Sequence, residues 1–171
     1  AIICGEEDNM QENFIIYNEE YVLIKEILKK LKNNTSGKAV FITDSEGHCI
    51  ASSGEMDDVN LNSISSLIAG SVAAINSIAQ MLKIENFTAV LNESAKESLH
   101  ISLINDRTML VVIFDNSSNL GLVRFRVRAA LEELIKVFQT INKKLKASDK
   151  APVGSPFEGV SDEDIDRIFG D

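Results

Sequence analysis

Apolar residues recur along this chain first at helical and then at strand spacing. Tyr21, Ile24, Leu28 and Leu31 repeat every three or four positions, Val22 and Ile27 widen the stripe, and Lys25, Lys29, Lys30 and Lys32 fill the opposite side. That pattern predicts an amphipathic helix over residues 18–33, closed by the polar run Asn33-Asn34-Thr35-Ser36-Gly37. Residues 39–43 then read as a buried strand and 49–52 as its return, joined by a turn at Asp44-Ser45-Glu46-Gly47 in which Gly47 supplies positive φ. A second long helix is expected over 61–82, with Asp58 or Asn60 as N-cap. Three more strands follow at 88–92, 99–104 and 108–114. The last is apolar throughout from Met109 to Phe114, as in a central strand covered on both faces. A final helix carries the stripe Val123, Val127, Leu131, Leu134, Phe138, Ile141 and Leu145, with Asp115 to Ser118 available as caps. Residues 123–128 alternate like a strand, but the continuation to Leu145 favours helix.

The element order is therefore α-β-β-α-β-β-β-α. This predicts an α/β domain in the broad sense, an α+β sandwich of five antiparallel strands with helices on both faces. The 171 residues fit one domain with tails. Residues 1–16 are polar and acidic and are expected to be disordered; Met10 is a candidate natural start. The domain spans 17–146, and Lys, Ser, Gly and both prolines make 147–160 a flexible linker. In residues 161–171, Ser161-Asp162-Glu163-Asp164 resembles a capped helix start, and Ile165, Ile168 and Phe169 follow at i, i+3, i+4.

Charge sharpens this division. The net charge is −9, of which residues 1–20 carry −6 and residues 158–171 carry −5, leaving 21–157 at +2. A nearly neutral body argues against a nucleic-acid partner. The tail's acidity suggests a basic landing site. No unbroken apolar run approaches the roughly 20 residues of a membrane span, so no membrane association is expected. Cys4 and Cys49 form no paired motif, and a reducing cytoplasm is the simplest compartment.

Chemistry-bearing motifs are sparse. Ser36-Gly37-Lys38 lacks the upstream glycine of a phosphate loop, so the chain is not itself a P-loop GTPase. His48 and His100 are isolated, no metal or other cofactor is expected, and Asp44, Asp106 and Asp115 sit where turns favour Asp. Arg107, Arg124, Arg126 and Arg128 are the arginines available to act in trans. The second helix is the unusual element: from Leu61 to Leu82 no residue is charged. Ile64, Ile68, Ile75, Ile78 and Leu82 read as its core stripe. Ser66, Gly70, Ala73 and Ser77, with Ala69 beside them, occupy the other side, where a solvated helix carries Lys and Glu. Either the helix is buried on both sides within one chain, or this side is an interface. A mid-helix Gly costs about 1 kcal/mol relative to Ala, and close approach of a partner would offset it.

Several stretches carry a resemblance to the roadblock/dynein light chain family. They are Ser65 to Ala74, Ala95 to Leu99, Val112-Ile113-Phe114-Asp115, Leu120 to Arg124, and the tail segments Gly154 to Phe157 and Ser161 to Asp166. The similarity covers residues 17–171, and the tail matches the bacterial members that regulate Ras-like GTPases. It implies a homodimer in which the strand holding Phe87, Ala89 and Leu91 pairs across the dimer axis into one continuous sheet. It also implies a docking surface at Ser66, Ala69, Gly70, Ala73 and Ser77, with Ile165, Ile168 and Phe169 contacting the partner. The partner would be a bacterial Ras-like GTPase in its GTP-bound form. The activity implied is GTPase activation without an arginine finger, with no catalytic residue of the chain's own, in cell polarity or gliding motility. A non-catalytic adaptor that holds a GTPase or motor complex is the alternative, and an enzyme with its own substrate is a third reading.

Overall fold

A computed structural model describes residues 18–54, 60–84, 87–115 and 118–148, without the side chains of 146–148. The acidic N-terminal segment, most of the linker and the tail with Ile165, Ile168 and Phe169 lie outside the described residues. The elements are α1 (Asn18–Thr35), β1 (Gly37–Asp44), β2 (Cys49–Gly54), α2 (Leu61–Met81), β3 (Ala89–Glu93), β4 (Glu97–Asn105), β5 (Thr108–Asp115) and α3 (Leu120–Ser148). All five strands form one sheet in the order β2-β1-β5-β4-β3, and every pairing is antiparallel. The expected order and sheet type are those observed.

Strand alternation divides the core in two. Val40, Ile42, Leu110, Val112 and Ile104 face α1 and α3, where they meet Ile24, Leu28, Leu31, Val123, Val127, Leu134, Phe138 and Ile141. Phe41, Ile101, Met109 and Val111 face α2 and meet Ile68, Ala69 and Val72. Residues of β5 thus enter both clusters, as its uninterrupted apolar run requires. Each fully buried Leu, Ile or Phe contributes about 1.5–3 kcal/mol, so the thicker α1/α3 side carries most of the stability. Glu20, buried near the start of α1, accepts from Lys144 Nζ near the end of α3 and ties these two helices together.

Local details depart from expectation in three places. Val22 is 55 % exposed and does not widen the α1 stripe. At 100° per residue it falls outside the arc centred on Ile24, Leu28 and Leu31. The α3 cap is Asn119, one residue past the stretch expected to supply it; its Oδ1 accepts from the Gly121 and Leu122 amides. As expected, the strand-like alternation at 123–128 is helical, with Val123 and Val127 one turn apart in the core and the three arginines exposed. α3 runs two residues into the stretch expected to be linker.

Candidate docking face on the second helix

α2 begins at Asn60, whose side chain accepts from the amides of Asn62 and Ser63. The β1–β2 turn packs against its first half. Gly47, at φ 92°, sits so close that a Cβ there would come within 2.6 Å of Ser66 Cα. Only Ser65, Ile68, Ala69 and Val72 of its 21 residues are buried. The reading in which one chain buries this helix on both sides is therefore overturned.

The expected core stripe is rotated and shortened. Ile68 is buried and Ile64 and Ile75 are half-buried, but Ile78 and Leu82 are 54 % and 64 % exposed. The four buried residues all fall between Ser65 and Val72, and no residue of the helix after Val72 is fully buried. Ala69 was expected on the docking side, but it packs against the sheet beside Ile68 and Val72. Its angle lies about 100° from Ile68 but only about 60° from Val72, within the arc that the sheet covers.

Ser66, Gly70, Ala73 and Ser77 are exposed as expected. At 100° per residue they lie within an arc of about 60°. Among the described residues, nothing outside the helix's own backbone lies within 4 Å of the position where Gly70 would carry a Cβ. The hydroxyls do not make the face hydrophilic. Ser66 Oγ donates to Asn62 O, Ser71 Oγ to Ile68 O and Ser77 Oγ to Ala73 O, at 2.9–3.0 Å, so each is satisfied inside the helix. A neighbouring arc holds Leu67, Ala74, Ile78 and Met81. Leu67 and Met81 are 74 % and 84 % exposed, and Ile84 just beyond the helix is also exposed. Sequence reasoning missed this second flank because Leu67 and Met81 read as ordinary members of an apolar helix. By length and composition α2 could also cross a membrane, with 22 % of its best window buried; its Ser, Asn and Gln break up the apolar run without adding charge.

The expected dimer strand is an edge. Among the described residues β3 pairs with β4 alone, with Val90 opposite Ile101, and its other side carries no strand. Ala89 is exposed, Leu91 packs against the α1/α3 cluster, and Phe87 precedes the strand and packs against the α2 cluster. Val90 and Leu99 are also only half-covered on the α2 side.

Reactive groups lie elsewhere. Asp44 Oδ1 accepts from the Glu46 and His48 amides, which is the turn role expected of this residue. Among the described residues, Asp44, Glu46 and His48 also bring their ligand atoms within 4.8 Å of one another, close enough to approach one metal ion. His100 is buried on the α3 side, hydrogen-bonded to Ser102 at 3.2 Å, and desolvation and then the charge of Arg124 hold its pKa below the ordinary value. Arg124, Arg126 and Arg128 lie on α3, across the sheet from α2. Arg107 is in the β4–β5 turn, and its carbonyl accepts from Ser45 of the hairpin that abuts α2. It is the one of the four arginines beside the α2 end of the sheet.

A family model described as Roadblock/LC7 domain matches residues 23–114. Myxococcus xanthus MglB is 37 % identical and superposes with a TM-score of 0.71, over 74 % of this chain and 96 % of that one. The gliding protein MglB from Thermus thermophilus is 21 % identical, with a TM-score of 0.67 over 75 % and 97 %. A further structure, titled MglB with tetrameric arrangement, is 20 % identical, with a TM-score of 0.70 over 77 % and 99 %. The last two bear on fold alone. Among curated protein sequences none matches this chain.

Proposed function

The chain belongs to the Roadblock/LC7 domain family, and from that membership we infer that it is a homodimeric regulator of a bacterial Ras-like GTPase of the MglA type. The observation that carries this reading is the outward face of α2, which is uncharged and uncovered although its own hydroxyls are satisfied internally. A contiguous exposed apolar surface of this kind marks a protein interface. Its two flanks suit two partners. Leu67, Ile78 and Met81 suit the second copy of α2, while the open edge of β3, with Phe87, Ala89 and Leu91 along it, suits strand pairing across the same two-fold axis. Ser66, Gly70, Ala73 and Ser77 then form the docking surface, where small side chains let a GTPase backbone come close.

The GTP-bound GTPase docks on this platform and hydrolyses its nucleotide faster because the contact rearranges its own catalytic groups. Three of the candidate arginines lie across the sheet from the platform, which supports a mechanism without a finger. A cytoplasmic location, and a role in polarity or gliding, follow from the same reading. The test is GTP hydrolysis by the MglA-type GTPase with and without this chain. Acceleration that Ala73→Arg abolishes, with the dimer still folded, supports activation. Binding without acceleration leaves the adaptor reading, and unchanged affinity in Ala73→Arg shows that another face is used.

A further inference from the structure

The first half of α3 presents a second patch that the docking reading does not use. Phe125 is 65 % and Leu122 46 % exposed, and Ala129 continues the line at i, i+3, i+7. At 100° per residue Phe125 points almost directly away from the Val123, Val127 and Leu134 core stripe. Arg124, Arg126 and Arg128 are exposed around it, and Arg126 stacks on the Phe125 ring at 5.7 Å. Between Leu120 and Leu131 there is no acidic residue, and none of the three arginines makes an ion pair among the described residues. A greasy ridge bordered by three cations is an unusual surface for a helix to offer to water.

The same chain carries the complementary segment. Residues 158–171 hold six acids against one Arg, and Ile165, Ile168 and Phe169 are spaced to share one face if helical. We propose that this acidic tail docks on the α3 face of its own chain, with Ile165, Ile168 and Phe169 against Leu122 and Phe125 and with its acids against Arg124, Arg126 and Arg128. The tether allows it. Phe125 lies about 35 Å along α3 from Ser148 at the helical rise. The sixteen residues from 149 to 164 span up to about 55 Å when extended. Exposed ion pairs are individually weak, about 0–1 kcal/mol. A tethered ligand, however, is present at an effective concentration of about millimolar, so three such pairs and an apolar contact suffice to populate the dock. Because α3 and α2 cover opposite faces of the sheet, a docked tail leaves the α2 platform clear and is itself held away from anything bound there. The proposal does not depend on the GTPase reading.

The test uses the full chain carrying Cys4→Ser and Asp171→Cys, with a nitroxide label at position 171; Cys49 is fully buried and stays unlabelled. In ¹⁵N-labelled protein, the amide signals of residues 122–129 should be lost to paramagnetic broadening while those of 66–77 persist. The triple variant R124E/R126E/R128E, or about 0.5 M salt, which shortens the screening length to a few ångströms, should restore the signals. Adding D162K/E163K/D164K to the triple variant should broaden them again. Broadening that falls on α2, that survives charge reversal, that fails to appear, or that appears only between a spin-labelled chain and a separate ¹⁵N-labelled chain would each overturn the proposal.

Discussion

Gly70 separates what α2 needs for folding from what it needs for its partner. Among the described residues nothing outside the helix's own backbone stands within 4 Å of the added methyl of Gly70→Ala, and the residue is mid-helix without positive φ. The substitution removes the entropic cost of a helical glycine, so it should stabilise the domain by about 1 kcal/mol. For a domain of this size that raises Tm by roughly 3–5 °C. If the same position lies under a docked GTPase backbone, the methyl has to be accommodated in a close contact, at about 1–3 kcal/mol. That weakens binding by roughly 5- to 150-fold. The two effects have opposite signs, and a purely structural glycine would not produce both. Thermal or urea unfolding reads the first, and titration of the fluorescent GTP-analogue complex of the GTPase reads the second. A variant that is more stable and binds with unchanged affinity refutes the placement of Gly70 at the interface. A variant that loses stability refutes the claim that its surroundings are open.

Three further outcomes follow from other parts of the molecule. Lys144→Ala strands the buried Glu20 carboxylate and should cost about 1–2 kcal/mol in urea unfolding at neutral pH, allowing for the partly exposed lysine. The hydrogen bond from Lys144 holds the Glu20 pKa below the ordinary carboxyl value, so this contribution is full at neutral pH and the gap between wild type and variant should narrow as pH falls below about 4. Burial, and then the charge of Arg124, hold the His100 pKa below its ordinary value in the fold, whereas an unfolded histidine titrates near about 6.5. Wild-type stability should therefore fall more steeply than that of His100→Gln as pH drops below about 6.5, and parallel curves would show that His100 does not contribute. Arg107→Ala should leave stimulated GTP hydrolysis within about twofold, because an inserted finger would be worth about 10³–10⁵ in rate.

The fold was legible because each strand's alternation and each helix's stripe agreed with its neighbours. The central position of β5 could be read from Met109 to Phe114, and the direction of α3 from the long run to Leu145 despite the strand-like arginine alternation. α2 was harder. A helix without charges has no polar side to fix its rotation, so the sequence could not say that Ala69 turns into the sheet while Ile78 and Leu82 turn out. The stripe of Leu122, Phe125 and Ala129 was hidden for a related reason: its apolar residues sit among those of the core stripe, and only the burial of Val123 and Val127 separates the two. The uncharged stretch from Leu61 to Leu82 was visible at once, and the structure sharpened it into a small-residue flank and a large-residue flank.

The most direct test of the docking face is hydrogen exchange on this chain, free and saturated with an MglA-type GTPase bound to a non-hydrolysable GTP analogue. The account predicts slower exchange along α2, centred on residues 66–77, with the α1/α3 face unchanged over residues 24–31 and 134–141. Protection centred on α1 or α3, with α2 unaffected, would contradict it.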